Sequence, residues 1–176
     1  VGWNITARRD AERATERLAH FDTLTGLPNR NLVKERLEQA ITQAQRRERG
    51  VGVLLLDLDS FTLVNDTFGH QTGNAMLAQV GRSLKDCVRR EDTVGRVGGD
   101  EFAVVLADLA RADDAAVVAR KIIDSFAEPF DLDGQETFIT ASIGVAVYPQ
   151  DGGDAEALLQ RSDAAMNRVK ESTRNA

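Results

Sequence analysis

Apolar residues recur at helical spacing in four segments of the chain. Residues three or four positions apart share one face of a helix, and in these segments charged residues occupy the other positions. The four apolar faces are Val33, Leu37, Ala40, Ile41 and Ala44 in 29–48; Leu77, Val80, Gly81, Leu84 and Val88; Ala116, Ala119, Ile123 and Phe126; and Leu158, Ser162, Ala165 and Val169 in 154–171. A shorter helix is predicted over 62–68, because Gly69 interrupts the pattern there.

Four other segments have the pattern of β-strands. The run from Val51 to Leu58 is apolar as far as Leu56, which is typical of a central strand covered on both faces. Two short runs, 93–97 and 102–106, flank a pair of glycines. A long strand is predicted over 138–148, with one face formed by Ile139, Ala141, Ile143, Val145 and Val147 and the other by Thr140, Ser142 and Gly144. Helices around a mainly antiparallel sheet make the predicted fold class α+β.

The first twenty residues follow a different pattern. Ala7, Ala11, Ala14, Leu18 and Phe21 have the alternating four- and three-residue spacing of a coiled-coil seam. The seam is barely two heptads long and its early side chains are small, so it is marginal by itself. Two interpretations stay open: a helix that joins this domain to an upstream domain, and a helix that packs on its own domain.

Composition narrows the class of protein. A chain of 176 residues with a net charge of −6 fits a soluble domain with an extension, and the negative charge argues against a nucleic-acid-binding surface. The single cysteine, Cys87, lies on the apolar side of a helical pattern and cannot form a disulfide within the chain. No apolar run approaches membrane-spanning length and no signal peptide is visible. These features predict a reducing, cytoplasmic setting.

Two glycines, Gly98 and Gly99, directly precede two carboxylates, Asp100 and Glu101. Adjacent glycines between two strands are typical of a hairpin turn, because glycine takes positive φ without steric cost. Bare backbone N–H groups beside carboxylates suit phosphates held by the backbone and by a divalent metal. A hairpin that merely happens to be acidic explains the turn equally well.

A second acidic pair favours the metal interpretation. Asp57 and Asp59 end the apolar strand, where carboxylates are disfavoured unless they are paired or bind a metal. If this strand neighbours the acidic hairpin, Asp57 and Asp100 converge on one hard cation with oxygen ligands only. The alternative is a strand-end turn whose side chains cap backbone N–H groups. Counting both acidic sites together, we favour the metal site.

The glycine–acid stretch, 98–102, spells the signature of the GGDEF family, the diguanylate cyclases. Three more segments resemble that family in the same order: 22–30 its opening motif, 57–73 its metal and guanine segment, and 141–146 its later core strand. The resemblance covers nearly the whole chain. It implies the palm-like sheet shared with adenylyl cyclases and polymerases, a signalling helix or linker over 1–20, and a GGDEF domain over 21–176.

The resemblance implies that two GTP molecules condense into cyclic di-GMP with release of pyrophosphate. One domain holds one GTP, so two domains must face each other and the active form is a homodimer. By motif match, the ligands of Mg²⁺ or Mn²⁺ are Asp57, the backbone carbonyl of Leu58, and Asp100, while Glu101 is a further ligand or a base. Gly98 and Gly99 let the backbone approach the nucleotide.

Further matches imply contacts with substrate and product. The nucleotide contacts are Phe61, Thr62, Asn65 and Asn74, and the terminal phosphates are assigned to Lys170 and Arg174, which lie four apart on one helical face. Without the family match, cations near a helix C-terminus are favoured by the helix dipole anyway. Arg89 and Asp92 match the family's RxxD inhibitory site for the product, and Arg120 is a weaker secondary candidate.

The chain departs from the family within these motifs. Thr62 stands where the family has a lysine that reaches the phosphates, which removes one charge-assisted contact. Asn74 replaces an aspartate that accepts both guanine donors, and this mismatch costs about 1–3 kcal/mol of base recognition. Asn167 and Thr173 replace a tyrosine and a glycine in the last helix. Because no metal ligand is lost, the resemblance predicts a weakened cyclase.

Two other functions stay open. Residues 2–9 resemble the tail of a PAS sensor domain, and 128–134 resemble GGDEF domains fused to EAL phosphodiesterases. One alternative is a GTP-binding module that regulates an attached EAL domain. The other is a cyclic di-GMP receptor that works through Arg89 and Asp92. Segments upstream of the chain would be the ones to tether such a protein to a membrane.

Overall fold

The computed structural model describes residues 2–174, and the side chains of residues 5–173, as six helices and six strands. The helices are α1 (Gly2–His20), α2 (Arg30–Arg47), α3 (Phe61–Phe68), α4 (His70–Asp86), α5 (Asp113–Ser125) and α6 (Ala155–Arg174). The strands are β1 (Gly50–Leu58), β2 (Thr93–Arg96), β3 (Glu101–Leu109), β4 (Phe130–Leu132), β5 (Gln135–Thr137) and β6 (Ala141–Tyr148).

The predicted central strand, β1, lies inside a four-stranded antiparallel sheet with the order β2-β3-β1-β6. On one edge β1 pairs with β3 as far as the Asp57–Glu101 pair, and on the other it pairs with β6 as far as Leu58–Ala141. Each face of the sheet carries its own apolar cluster, with α4 and α5 on one side and α2 and α6 on the other. The α+β prediction is confirmed.

The predicted helix faces agree for α2 and differ by about one position in α5 and α6. The buried face of α2 is the predicted one: Val33, Leu37, Ala40, Ile41 and Ala44. In α5 the buried residues are Ala115, Ala119 and Ile122, so the predicted Ala116 and Ile123 are exposed. The sequence of α5 contains two overlapping apolar stripes. The stripe with Ala115 is the buried one, because Ala115 packs over Gly52 of the central strand.

In α6 the buried residues include Leu158, Ser162 and Met166, whereas the predicted Val169 is 42% exposed. The helix runs past the end of the sheet beyond Met166. Its inward position there is taken by Lys170, which approaches the end of β1, so Val169 faces outward.

The last strand is shorter than predicted, and a small hairpin precedes it. β6 begins at Ala141 and not at Phe138, because its partner β1 ends at Leu58 and Ser60, with φ 60°, turns the chain into α3. Phe138 is 65% exposed. The hairpin β4–β5 turns at Asp133-Gly134, both with positive φ. This dipeptide between two short runs is a strong hairpin signal, and the hairpin was not among the predicted elements.

The N-terminal helix α1 stands apart from the rest of the domain. Its side chains from Ile5 to Ala19 are exposed, including Leu18 of the predicted seam at 66%. A helix packed against its own domain is therefore not what the structure contains, and a connection to an upstream domain stays a prediction. Within residues 2–174, none of the helices is both long enough and apolar enough to cross a membrane.

Candidate active site

The acidic ends of β1 and β3 lie side by side, as predicted. Asp57 is in register with Glu101, and the amide of Leu58 donates a hydrogen bond of 3.1 Å to the carbonyl of Asp100. The three proposed metal ligands, Asp57, Leu58 and Asp100, are thus brought together by ordinary antiparallel pairing.

Lys170 of α6 forms an ion pair with this acidic group. Its Nζ lies 2.6 Å from Oδ2 of Asp57, and the two side chains are only 20% and 12% exposed. The other oxygen of Asp57, Oδ1, is buried and has no hydrogen-bond partner within the described part of the chain. A buried carboxylate oxygen without a partner is costly, and a cation is the natural occupant of such a position.

Burial, together with the neighbouring carboxylates, raises the pKa of two acidic side chains. Burial, followed by the negative charge of Asp57, raises the pKa of Asp100, against the opposing charge of Lys170. Burial and the charges of Asp57, Asp100 and Asp163 raise the pKa of Glu101, against Arg30. Negative charge is therefore in excess at this strand end, which a divalent cation would relieve.

The donor set fits a magnesium ion that is shared with its substrate. Among residues 2–174, no three acidic, histidine or cysteine side chains form a ready metal cluster. Mg²⁺ is usually held by one or two carboxylates together with substrate phosphates and water. Asp57, Asp100 and the Leu58 carbonyl match that pattern, because phosphate oxygens would supply the remaining ligands.

The position of Lys170 follows from a close contact between α6 and β6. A Cβ on Gly144 would overlap the carbonyl oxygen of Ser162 and the amide of Met166, so this approach requires glycine. Lys170 follows Met166 by four residues, about one helical turn, and so lies on the same face. The backbone of Arg174 ends α6, but its side chain lies outside the described residues, so its predicted phosphate contact stays a prediction.

A cleft of about 540 Å³ opens beside the acidic strand end. It is lined by Leu58, Asp59, Ser60, Phe61, Thr62, Asp100, Lys170 and Thr173. The predicted substrate residues Phe61, Thr62 and Lys170 are therefore placed together with two of the proposed metal ligands. Glu101 instead lines a neighbouring cavity of about 490 Å³ between α2 and α6, on the side of Arg30 and Asp163.

Asn65, which the family resemblance assigns to guanine, lies in close contact with Gly73. A Cβ on Gly73 would overlap the Oδ1 of Asn65 and crowd the ring of Phe61. Gly73 lies inside α4, where glycine costs up to about 1 kcal/mol relative to alanine. A glycine inside a helix indicates a close contact at that position. Gly73 was therefore the signal in the sequence from which the contact with Asn65 could have been predicted. The next residue, Asn74, is exposed.

Arg96 holds the glycine–acid turn from behind. Its guanidinium donates two hydrogen bonds, of 2.8 and 3.1 Å, to the carbonyl of Gly99, and a third, of 3.0 Å, to Asp22. Neither Gly98 nor Gly99 has the positive φ on which the hairpin prediction was based. That reason was wrong, and a Cβ on Gly99 would meet only open space.

Asp22 connects the segment after α1 to this turn. Burial raises its pKa, but hydrogen bonds from the amide and hydroxyl of Thr25 and the charge of Arg96 outweigh burial and leave the pKa below its ordinary value. A carboxylate with a lowered folded-state pKa stabilises the fold above its unfolded pKa of about 3.9, and this stabilisation is lost as pH falls through the folded pKa.

Asp22→Asn is accordingly expected to lower the free energy of unfolding at pH 7 by about 1–2 kcal/mol, because a charge-assisted pair is removed. The difference from the wild type should shrink as pH falls below about 4. Urea unfolding at several pH values measures both effects, with Asp10→Asn on the exposed α1 as the control. A constant difference at every pH would contradict this role of the Asp22 charge.

The predicted inhibitory residues lie apart from the cleft and form a closed turn. Asp92 has a side chain only 2% exposed, and it accepts hydrogen bonds of 3.0 Å from the amides of Arg89 and Ala107. The guanidinium of Arg89 is half exposed and also donates to the carbonyl of Ala107. Arg120 lies on α5 and forms an exposed pair with Asp124 at 3.5 Å.

Comparison with known proteins agrees with this architecture. The family described as "Diguanylate cyclase, GGDEF domain" matches residues 19–176. The solved GGDEF domain of TpbB (YfiN) from Pseudomonas aeruginosa is 39% identical, with a TM-score of 0.84 over 87% of this chain and 90% of that one. The chain belongs to the GGDEF domain family, and the prediction from its motifs is confirmed.

Two longer proteins of Pseudomonas aeruginosa are also similar. The bifunctional diguanylate cyclase/cyclic di-GMP phosphodiesterase MucR is 44% identical over 97% of this chain and 25% of its own length. The cyclic di-GMP phosphodiesterase NbdA is 37% identical over 94% of this chain and 21% of its own length. The chain thus spans a quarter or less of these two relatives.

Proposed function

We propose that this domain is a diguanylate cyclase of reduced activity, which condenses two GTP molecules into cyclic di-GMP. The observation that carries the proposal is a cleft lined by Leu58, Asp100 and Lys170, in which the ammonium of Lys170 also pairs with the adjacent Asp57. Carboxylates for a metal and a lysine for phosphates are what nucleotidyl transfer from a triphosphate requires.

Each residue has a definite task in that reaction. Asn65 and Asn74 hydrogen-bond guanine, Phe61 and Thr62 line the nucleotide cleft, and Lys170 binds the terminal phosphates with Arg174. Asp57, Asp100 and the Leu58 carbonyl would hold Mg²⁺ or Mn²⁺, which offsets phosphate charge and lowers the pKa of the attacking hydroxyl when bound. Glu101 is the candidate to receive the proton, because its raised pKa favours the protonated form.

The bonds that change require two domains. The 3′-oxygen of one GTP attacks the α-phosphorus of the other, the bond from that phosphorus to its β-bridging oxygen breaks, and pyrophosphate leaves. The hydroxyl proton passes to Glu101, the proposed base. A second step of the same kind closes the ring. Since one cleft of about 540 Å³ accommodates one nucleotide, the active form is a homodimer with the clefts facing each other.

The proposal is tested by incubating the concentrated protein with GTP and Mg²⁺ and detecting cyclic di-GMP by mass. Product that requires both the divalent metal and high protein concentration supports a dimeric cyclase. GTP binding without product would contradict it and favour a regulatory module, for which the similarity to NbdA is the specific argument. Binding of cyclic di-GMP without binding of GTP would favour a receptor.

Product inhibition is proposed through Arg89, whose half-exposed guanidinium can reach phosphate or guanine. Asp92 is occupied by two backbone amides. Its side chain is only 2% exposed, so it accepts from guanine only when this turn opens, and binding of the product must therefore rearrange the loop. Arg120, paired on the surface of α5, is the proposed secondary contact.

Thr62→Lys is expected to strengthen GTP binding. Thr62 is exposed at the cleft and too short to reach a phosphate, and a lysine there would restore an ion pair of about 1 kcal/mol, roughly fivefold in the dissociation constant. Calorimetric titration with a non-hydrolysable GTP analogue measures the change. Thr67→Lys on the same helix adds the same charge outside the cleft lining and serves as the control. Equal affinities for the two variants would refute this explanation of Thr62.

A further inference from the structure

Asp59 directly follows two of the proposed metal ligands, Asp57 and Leu58, in the chain. Its carboxylate nevertheless accepts hydrogen bonds from residues at the start of β6. Its Oδ2 accepts a hydrogen bond of 2.7 Å from the hydroxyl of Thr140, and its Oδ1 accepts one of 2.8 Å from the hydroxyl of Ser142. Its amide donates to the carbonyl of Thr140 at 2.8 Å. We refer to Asp59, Thr140 and Ser142 as the strand-end clasp.

The backbone hydrogen bond between Asp59 and Thr140 shows where the carbonyl of Leu58 points. The peptide group between Leu58 and Asp59 is planar and trans, so its C=O and N–H point in opposite directions. Because the N–H of Asp59 points to Thr140 on the β6 side, the C=O of Leu58 points to the β3 side. That is the side on which Asp100 lies.

The same peptide region is held from the other side as well. The amide of Leu58 donates to the carbonyl of Asp100, so consecutive amides bond to opposite neighbours, as in a regular central strand. Ser142 is 1% exposed and is in register with Asp57. Its buried hydroxyl needs a partner, and the charge of Asp59 supplies one.

We propose that Asp59 is a positioning residue, which acts through Thr140 and Ser142 to hold the Leu58 carbonyl in the direction of the bound metal. This inference rests on the proposed function, because it assigns the Leu58 carbonyl as a metal ligand. Residues that orient a metal's ligands through hydrogen bonds typically change metal affinity by about 10–100-fold when removed.

Two other roles of Asp59 need to be separated from positioning. Asp59 lines the cleft, so it would act as a direct metal ligand if its carboxylate left the two hydroxyls. It would also be an ordinary structural contact if only the stability of the sheet depended on it. The three roles differ in whether the hydroxyl partners matter and in whether metal affinity changes.

The experiment measures binding of Mn²⁺ by electron paramagnetic resonance, in the presence of a non-hydrolysable GTP analogue, alongside thermal unfolding of each variant. Asp59→Ala and the double variant Thr140→Val/Ser142→Ala are each expected to weaken Mn²⁺ binding about tenfold. The triple variant, which combines these three substitutions, is expected to bind Mn²⁺ no more weakly than either, because all three substitutions remove the same set of hydrogen bonds. Thr140→Ser keeps the hydroxyl and should bind Mn²⁺ like the wild type.

The matched control is Asp151→Asn at the opposite end of β6, where the carboxylate of Asp151 accepts from the amide of Val147 at 2.8 Å. It should lower the unfolding temperature without changing Mn²⁺ affinity. Unchanged Mn²⁺ affinity in Asp59→Ala, or a loss in Asp59→Ala much larger than in the double variant, would overturn the proposal. The binding measurement does not depend on turnover, so a wild type that binds Mn²⁺ but makes no product contradicts the cyclase proposal only.

Discussion

Asp100→Ala is expected to reduce formation of cyclic di-GMP by about 10³-fold or more, because it removes one of two carboxylates at the proposed metal site. The fold should persist. The pKa of Asp100 is raised by burial and by Asp57, so its ionised form opposes folding at neutral pH. Asp100→Asn, which keeps the shape of the side chain, should therefore unfold at a higher temperature than the wild type in the absence of metal.

The sign of this effect sets its dependence on pH. Asp100 of the wild type becomes protonated as pH falls through its raised folded-state pKa. The advantage of Asp100→Asn should therefore shrink from that pKa downward and vanish below the unfolded-state pKa of about 3.9. Adding Mg²⁺ should raise the unfolding temperature of the wild type and leave that of Asp100→Asn nearly unchanged.

Asp108→Asn is the control, since Asp108 lies on the same strand, pairs with Arg49 and is distant in sequence from the acidic turn. Asparagine also tolerates the positive φ of 55° at this position. Mass detection of the product and thermal unfolding with and without Mg²⁺ measure both effects. Full turnover in Asp100→Ala would show that the site is elsewhere.

Lys170→Met is expected to change the binding of two ligands in opposite directions. GTP should bind about tenfold more weakly, because a charge-assisted phosphate contact is lost. Mn²⁺ without nucleotide should bind more tightly, because the ammonium 2.6 Å from Asp57 no longer competes for that carboxylate. A lysine that only bound phosphate would produce the first effect without the second.

The unfolding temperature of Lys170→Met should also change because the ion pair with Asp57 is lost. Removing one partner of a largely buried ion pair leaves an uncompensated charge, so Lys170→Met should unfold at a lower temperature, and Mn²⁺ should restore much of the loss. Paramagnetic resonance of free Mn²⁺, calorimetry with a GTP analogue and thermal unfolding give the three quantities. Arg168→Met, exposed on the same helix, is the matched control. Equal Mn²⁺ affinity in wild type and Lys170→Met would contradict the competition between lysine and metal.

The parts of the fold that depend on local pattern were predictable from the sequence. The apolar run of β1 predicted a central strand, and the glycine pair predicted the turn between β2 and β3. Antiparallel pairing then brought Asp57 and Asp100 together without further information. The buried face of α2 was predicted completely, because the charged and the apolar positions of this helix lie on separate faces.

The remaining features depend on contacts between distant residues. Asp57 and Asp59 looked alike in the sequence, yet Asp57 pairs with Lys170. Asp59 instead accepts hydrogen bonds from the hydroxyl of Thr140, which precedes β6, and from that of Ser142 within β6. The alternative, a strand-end turn whose side chains cap backbone N–H groups, differs from this arrangement, because the carboxylate of Asp59 accepts from two hydroxyls. No local pattern indicated that α6 would bring a lysine to Asp57, because that contact joins residues more than a hundred positions apart.

The contact of Gly144 with α6 has a consequence for how this domain tolerates insertions. The helix is seated on β6 at Ser162 and Met166, so the connection between β6 and α6 can change length without moving Lys170. One residue added between Met166 and Lys170 would turn the lysine about 100° around the helix axis, away from Asp57. Length variation should therefore be accepted at 149–154 and rejected within the last turns of α6.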